Sequence, residues 1–262
     1  MCYDISFSTR YEIITDYVPD LIIDPQIEFD YDTFVHVVAQ SYQKKPVIYR
    51  EDGKNYMKEF EWGVIAEYMK TPEQVKKNRQ SMCNAKSEKI LDKKSYWYRL
   101  RKKRCLLLAE GFMEHREVKG WKNKVPYFIR QKNRPVFALM GIYTYAPVPD
   151  VETGEVKGTF SVVTRAANSV MAQIHNGGPN AGRMPLMLPK HLELKWLDEE
   201  LTDDELQEIL YFEIPSEELE YHPVYSIRTT KERPDQKNKL DPYEWENLPP
   251  LGKDSIEMSL FE

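Results

Sequence analysis

Cys2 follows Met1 directly, and cysteine is small enough that removal of the initiator methionine is expected. Removal leaves an α-amine and a thiol on one residue. Their ordinary pKa values, about 7.7 to 8.0 and about 8.5, make both nucleophiles partly available at neutral pH. Such a pair has a specific reactivity: an aldehyde condenses with the amine to an imine, and the thiol then closes on the imine carbon to a five-membered thiazolidine. The competing reading is a small residue in a first strand, because free cysteines are commonly buried.

Several segments have to be read together with Cys2. Trp62-Gly63-Val64-Ile65 comes first, and Asn84-Ala85-Lys86-Ser87-Glu88 follows a capped helix. Arg104-Cys105-Leu106 leads a strand into Glu110-Gly111-Phe112-Met113-Glu114-His115, and His175 precedes Arg183-Met184-Pro185. In this order, from about Cys2 to Trp196, the chain resembles the SRAP family, the abasic-site processing proteins also called SOS-response-associated peptidases.

The resemblance implies an SRAP-like catalytic domain that captures abasic sites in single-stranded DNA as a covalent crosslink. Cys2 matches the crosslinking nucleophile. Asn84 would hold the reacting N-terminus and a sugar oxygen, although asparagine is also a common cap. Glu114 would be the general acid and base, provided that burial raises its pKa toward neutrality; otherwise it is a strand-end salt bridge. His175 would protonate the ring oxygen or the imine, against the alternative of a histidine on a helix C-terminal dipole. Lys86 and Arg183 match phosphate-contacting arginines, and Trp62 and Arg104 are expected at the DNA as well. The family pattern implies no metal and no cofactor, and a monomer as the acting form.

The chain departs from that pattern in places. The opening Cys-Gly-Arg is Cys2-Tyr3-Asp4, Lys86 replaces an arginine and so loses bidentate geometry, and Met113 and His115 flank Glu114 in place of tyrosine and tryptophan. Ala66 stands where a proline usually follows. Seven residues separate His175 from Arg183 where the family has one; their glycines favour a loop that bulges outward and keeps both side chains in place.

The elements that must hold these residues are mostly short β-rich runs: 34–39, 46–49, 56–65, 105–109, 127–130, 136–145, 160–164, 184–188 and 220–225. Helices are fewer. Thr71 with Pro72 and Gln74 signals one reaching about Met82, Thr202 with Glu205 signals an acidic one to Leu210, and 168–174 is helical in pattern. Tyr145 to Gly158 is a hairpin excursion. The fold class expected is α+β, with mostly antiparallel sheets in a barrel-like or sandwich core flanked by a few helices. One domain over 1–233 is expected, with a polar tail, 234–262, packed on it or fraying.

No apolar run reaches the roughly 18 residues that span a bilayer, and no secretory leader is visible, so a cytoplasmic protein, nucleoid-associated during repair, is expected. Three widely spaced cysteines suggest neither a disulfide framework nor a zinc site. The net charge of −5 argues against a polyanionic partner, but the average hides an asymmetry. Residues 70–104 hold 13 Lys or Arg against three acids, and 198–220 hold 11 acids and no base. Such segregation predicts one positive and one negative face. Two other functions fit the same residues: a cysteine peptidase using Cys2, His175 and Asn84 or Glu114, including self-cleavage after Met1, or a non-covalent binder of single-stranded nucleic acid.

Overall fold

The computed structural model describes residues 2–7, 11–30, 34–229 and 232–253. In chain order its elements are β1 (Asp4–Phe7), α1 (Tyr11–Thr15), β2 (Leu21–Ile23), α2 (Pro25–Asp30), β3 (Phe34–Val38), β4 (Lys44–Glu51), β5 (Lys54–Trp62), α3 (Pro72–Asn78), β6 (Asn84–Lys86), β7 (Arg104–Ala109), β8 (Gly111–Arg116), β9 (Val125–Gln131), β10 (Phe137–Tyr145), β11 (Gly158–Ala166), α4 (Ser169–Ile174), β12 (Arg183–Pro185), α5 (Lys190–Trp196), α6 (Asp203–Tyr211) and β13 (Leu219–Pro223). The fold is α+β with two mostly antiparallel sheets. One has the order β13-β9-β8-β1-β3; the other runs β12-β11-β10-β7-β4-β5-β2, with β6 added on β11. A parallel contact of β11 with β5, Phe160 beside Trp62, closes the larger sheet partly into a ring.

Side-chain alternation along the central strands builds two cores at once. Leu106 and Leu108 of β7 and Met140 and Ile142 of β10 join the apolar layer containing Trp196, Leu206 and Ile209, which covers one sheet face with α5 and α6. Cys105, Leu107, Phe137 and Leu139 point the other way, into the layer of Tyr49, Phe60, Trp62 and Phe160. Burial on both faces explains why the run at 105–109 is uninterruptedly apolar. The β4–β5 hairpin turns on Asp52 and Gly53, both at positive φ, which lets two residues reverse the chain with Glu51 opposite Lys54.

Both helical capping boxes form: Thr71 Oγ1 accepts from the Gln74 amide, and Thr202 Oγ1 from Glu205. Helix α3 stops at Asn78 and continues as a 3₁₀ turn, Arg79–Met82. The excursion between β10 and β11 is a hairpin loop pinned by Asp150, whose Oδ1 accepts from the amides of Glu152 and Thr153. The short elements β2, β6, α1, α2 and α5 carry no periodic signal of their own, because tertiary pairing and packing rather than propensity hold them.

The segment after β13 crosses the small sheet as a strap, packed as far as residue 253. Trp245 Nε1 donates to the Val224 carbonyl, and the fully buried Arg116 donates to the carbonyls of Pro249 and Pro250. Residues 254–262 of the expected tail lie outside the described residues. No helix among the described residues is long and apolar enough to cross a membrane.

The charged segments do not separate into two faces. Arg101 of the basic stretch donates to Asp203 at 2.9 Å, placing the acidic α6 directly against it. Arg79 pairs with Glu61 at 2.7 Å, Lys89 with Asp92 at 2.8 Å, and Arg99 with Glu67. Three of the stretch's arginines, Arg79, Arg99 and Arg101, thus meet acids from outside it, so unlike charges far apart in sequence pack side by side.

Candidate active site

Cys2 precedes β1 and is fully buried. The Ala39 amide donates to the Tyr3 carbonyl at 2.7 Å, extending the β1–β3 pairing toward the chain start and fixing the direction in which Cys2 is presented. On the other side of β1 lies β8, with Asp4 opposite Met113. Alternation along β8 puts Glu114 on the face of Phe112 and Arg116, both fully buried, so its neighbours carry the carboxyl into a low-dielectric layer.

Burial pushes the Glu114 carboxyl up to about 8 from an ordinary 4.5. Glu114 is therefore mostly protonated at neutral pH. His175 caps the end of α4, and its Nε2 lies 3.8 Å from Glu114 Oε2. Burial lowers the imidazole to about 4. The contact thus joins two neutral groups at neutral pH and is not an ion pair. His175 Nδ1 meets the Arg183 carbonyl at 2.8 Å, a partner that can only accept. That carbonyl assigns the proton to Nδ1 and turns the Nε2 lone pair toward Glu114.

Residues 176–182 leave and return at one point. The Gly182 amide donates to the His175 carbonyl at 2.7 Å, and the Ala167 amide to that of Gly182 at 2.9 Å. The loop bulges from a closed base, and both flanking residues keep their places on α4 and β12.

Asn84 opens β6, held by parallel pairing with β11. It is only 5% exposed, yet neither its Oδ1 nor its Nδ2 has a hydrogen-bond partner among the described residues. A buried amide left in this state costs roughly 1 to 3 kcal/mol per group. Cys83 beside it shares a core cluster with Cys2. The Tyr3 hydroxyl, raised first by burial and then by the charges of Cys83, Glu114 and Cys2, sits among these residues.

The Cys2 thiol does not match the partial availability expected of a free cysteine. Burial first, and then the nearby Glu114, push it well above its ordinary value, so it stays protonated at pH 7 and needs a base to react.

An open cleft of about 490 Å³ leads to Glu114 and His175, with Lys124 and Arg228 on its walls and Asp4 at its edge. Asp4 is buried and accepts from His36 Nε2 at 2.7 Å and from Arg228 Nε and Nη2 at 3.0 and 2.6 Å. Although burial opposes it, these donors hold the Asp4 carboxyl below its usual range. The sequence reading had missed Arg228, His36 and Lys124. An acid two residues after Cys2, in a strand due to be buried, is the signal that a cation must meet it; the position of that cation, 224 residues away, is not readable from the sequence.

Of the residues expected at DNA, two are corrected. Trp62 is fully buried, stacks on Phe160 at 5.8 Å between ring centroids and donates Nε1–H to the Cys83 carbonyl at 2.9 Å, so it offers no face to a base. Arg104 is buried and spends its guanidinium on the carbonyls of Trp196, Arg101 and Asp198. Arg183 sits bidentate on Glu88, at 2.5 and 3.0 Å, and donates to the Thr164 carbonyl at 2.6 Å. Lys86 is exposed.

On this pair of sheets, buried Cys2 lies within the electrostatic reach of the protonated Glu114 carboxyl, which itself meets the neutral imidazole of His175. The chain belongs to the SOS response associated peptidase (SRAP) family, whose model matches residues 25–230. Cys2 lies outside the matched span. Over 180 residues the chain is 28% identical to the abasic site processing protein YoqW of Bacillus subtilis (strain 168), covering 69% of this chain and 74% of that one. It is 27% identical over 215 residues to YoaM of the same organism, 79% and 87% covered, and 27% over 194 residues to HMCES of Gallus gallus, 66% and 54% covered; both carry the same description. A crystal structure of a protein from Bacteroides thetaiotaomicron superposes with a TM-score of 0.74 at 28% identity, over 92% of this chain and 97% of that one. A Bordetella bronchiseptica structure, TM-score 0.67 at 15% identity, shares the fold.

Proposed function

We propose that this protein processes abasic sites in single-stranded DNA by forming a thiazolidine crosslink through Cys2 once Met1 has been removed. The observation that carries the reading is the pairing of Glu114, raised to about 8, with a neutral His175 at 3.8 Å on the lining of an open cleft, with Cys2 buried behind it within reach of the Glu114 charge. A carboxylic acid that keeps its proton at pH 7 can donate it, and afterwards take one back.

The steps balance as follows. The abasic sugar opens from hemiacetal to aldehyde, and the Cys2 amine adds to its carbon. Loss of water gives the protonated imine, an iminium that keeps one amine proton, with Glu114 donating the proton that makes hydroxide a water leaving group. The resulting carboxylate is the base that the raised thiol requires. It takes the Sγ proton as sulfur bonds to the iminium carbon, whose π electrons pass to nitrogen, and the N–H left from the amine becomes the ring N–H. The Nε2 lone pair of His175 can accept the Glu114 proton and return it. Asn84, with both amide groups open, would hydrogen-bond the sugar oxygen or the amine. Lys86 would meet a phosphate, and Arg183 could do so by exchanging the Glu88 carboxylate for an anion that suits the same fork.

The test exposes protein with a verified Cys2 N-terminus to an abasic single-stranded oligonucleotide and, in parallel, to peptides. Wild type should give a heat-stable adduct whose mass is that of protein plus DNA less one water, and Cys2→Ala should give none. Peptide cleavage without an adduct would reverse the reading in favour of a peptidase.

A further inference from the structure

Arg79, Arg99, Arg101 and Arg104 of the basic stretch at 70–104 are engaged by internal acids and carbonyls, and none of that stretch lines the cleft, which leaves open what grips the phosphates around it. Among the cleft-lining residues Arg228 stands out. Two of its nitrogens hold Asp4, while the side chain remains 48% exposed. Asp4 also accepts from His36 Nε2, so the His36 proton lies on that nitrogen and Nδ1 accepts from Lys239 Nζ at 3.2 Å. Lys239, His36, Asp4 and Arg228 thus form one chain of hydrogen bonds. It ties the strap to the strand that presents Cys2, with a cation at each end.

Ser226 lines both the main cleft and a second hollow of about 210 Å³ that carries Lys237 and Lys239. Arg233 in that hollow is not free: it is buried and bound to Asp235 and to the carbonyls of Asn238, Asp241 and Pro242, which fixes the loop bearing the two lysines. By contrast, the hollow of about 230 Å³ between the 3₁₀ turn Ser87–Lys89 and α6 presents Glu88 and Asp92, which would repel a phosphate.

We propose that Arg228, Lys237 and Lys239 form the rail that holds the nucleic-acid backbone on one side of the reacting sugar. Lys237 and Lys239 lie beyond the span matched by the family model, which ends at residue 230, so the rail is a feature of this chain's own strap. The hollow bearing Lys237 and Lys239 adjoins the main cleft at Ser226, so a backbone leaving the cleft on that side would pass the two lysines, and Arg228, steadied by Asp4, would meet the phosphate nearest the chemistry with its remaining N–H groups. The inference rests on the proposed function for its choice of single-stranded DNA as the ligand.

The experiment measures binding of an intact, unmodified single-stranded oligonucleotide across a salt series, which needs no crosslink. Lys237→Glu alone and the pair Lys237→Glu/Lys239→Glu are compared with Lys76→Glu/Lys77→Glu on α3. The strap pair should weaken binding about tenfold or more and flatten the plot of log affinity against log salt by about 0.7 per lost contact, with under twofold change for the α3 pair. Lys237→Glu keeps the test open if the double variant misfolds, because Lys237 is exposed. Strap variants that bind like wild type, or an α3 pair that loses as much, would overturn the rail. Absence of adduct from wild type on abasic DNA would instead overturn the proposed function and leave this binding result standing on its own.

Discussion

Two sets of buried polar side chains lie in this protein, and they are built on opposite principles. The first surrounds α5: fully buried Glu193 accepts from the Ala138 amide, Tyr17 hydroxyl and Arg134 guanidinium, and nearby Arg104 donates to three carbonyls. The second comprises Cys2, Asn84, Glu114 and His175, where an amide has no partner among the described residues and two pKa values are driven toward the neutral forms. A satisfied buried network fixes a fold. A neutral and partly unsatisfied one costs stability and keeps hydrogen-bonding capacity for something that arrives later.

The comparison is most open to attack through Glu193→Ala, which strands a tyrosine, an amide and an arginine together. A loss of about 3 to 5 kcal/mol in urea unfolding is expected; a loss under 1 would mean that the first network is not what holds α5 to β10. Arg104→Ala removes donors from three carbonyls and should cost about 2 to 3 kcal/mol while leaving the salt dependence of DNA binding unchanged. A reduced slope would return Arg104 to the DNA interface.

Glu114→Gln comes next, and its effect depends on pH. The folded value of about 8 lies above the ordinary 4.5, so the stability linked to its proton is full below about 4.5 and is lost as pH rises through 8. Wild type should lose roughly 2 to 4 kcal/mol between pH 5 and 9 from this group, and the glutamine variant should not. Parallel pH curves for the two proteins would show that Glu114 is not buried as described. For His175 the direction reverses: its folded value of about 4 lies below 6.5, so its contribution is present above 6.5 and is lost as pH falls through 4. The smallest change in stability should come from Asn84→Ala, within about 1 kcal/mol of wild type or in its favour, because no hydrogen bond among the described residues is lost. Adduct formation should nevertheless slow markedly, and a variant that is both destabilised and fully active would place Asn84 in the first class.

Much of this was legible in the chain. The boxes at Thr71 and Thr202 and the apolar run Cys105–Ala109 announce their elements, because a cap or an alternation is decided within a few residues. Trp62 and Arg104 were misread for a common reason. An aromatic ring and a guanidinium serve equally well against a base and against a core, and nothing local says which. The basic stretch misled for a similar reason, since Glu61, Glu67 and Asp203 reach it from other elements.

The sequence by itself determined the placing of a cysteine directly after Met1, the order of the segments that mark the family and the alternation that makes two sheets. Those depend on covalent chemistry and on short-range backbone geometry. Only the tertiary structure decided that Glu114 keeps its proton, that His175 stays neutral, and that Arg228 stands beside Asp4 and Lys239 beside His36. A pKa shift and an ion pair both depend on what surrounds a group in space, and the packing of β8 against β1, with the strap folded back over them, brings those surroundings together from opposite ends of the chain.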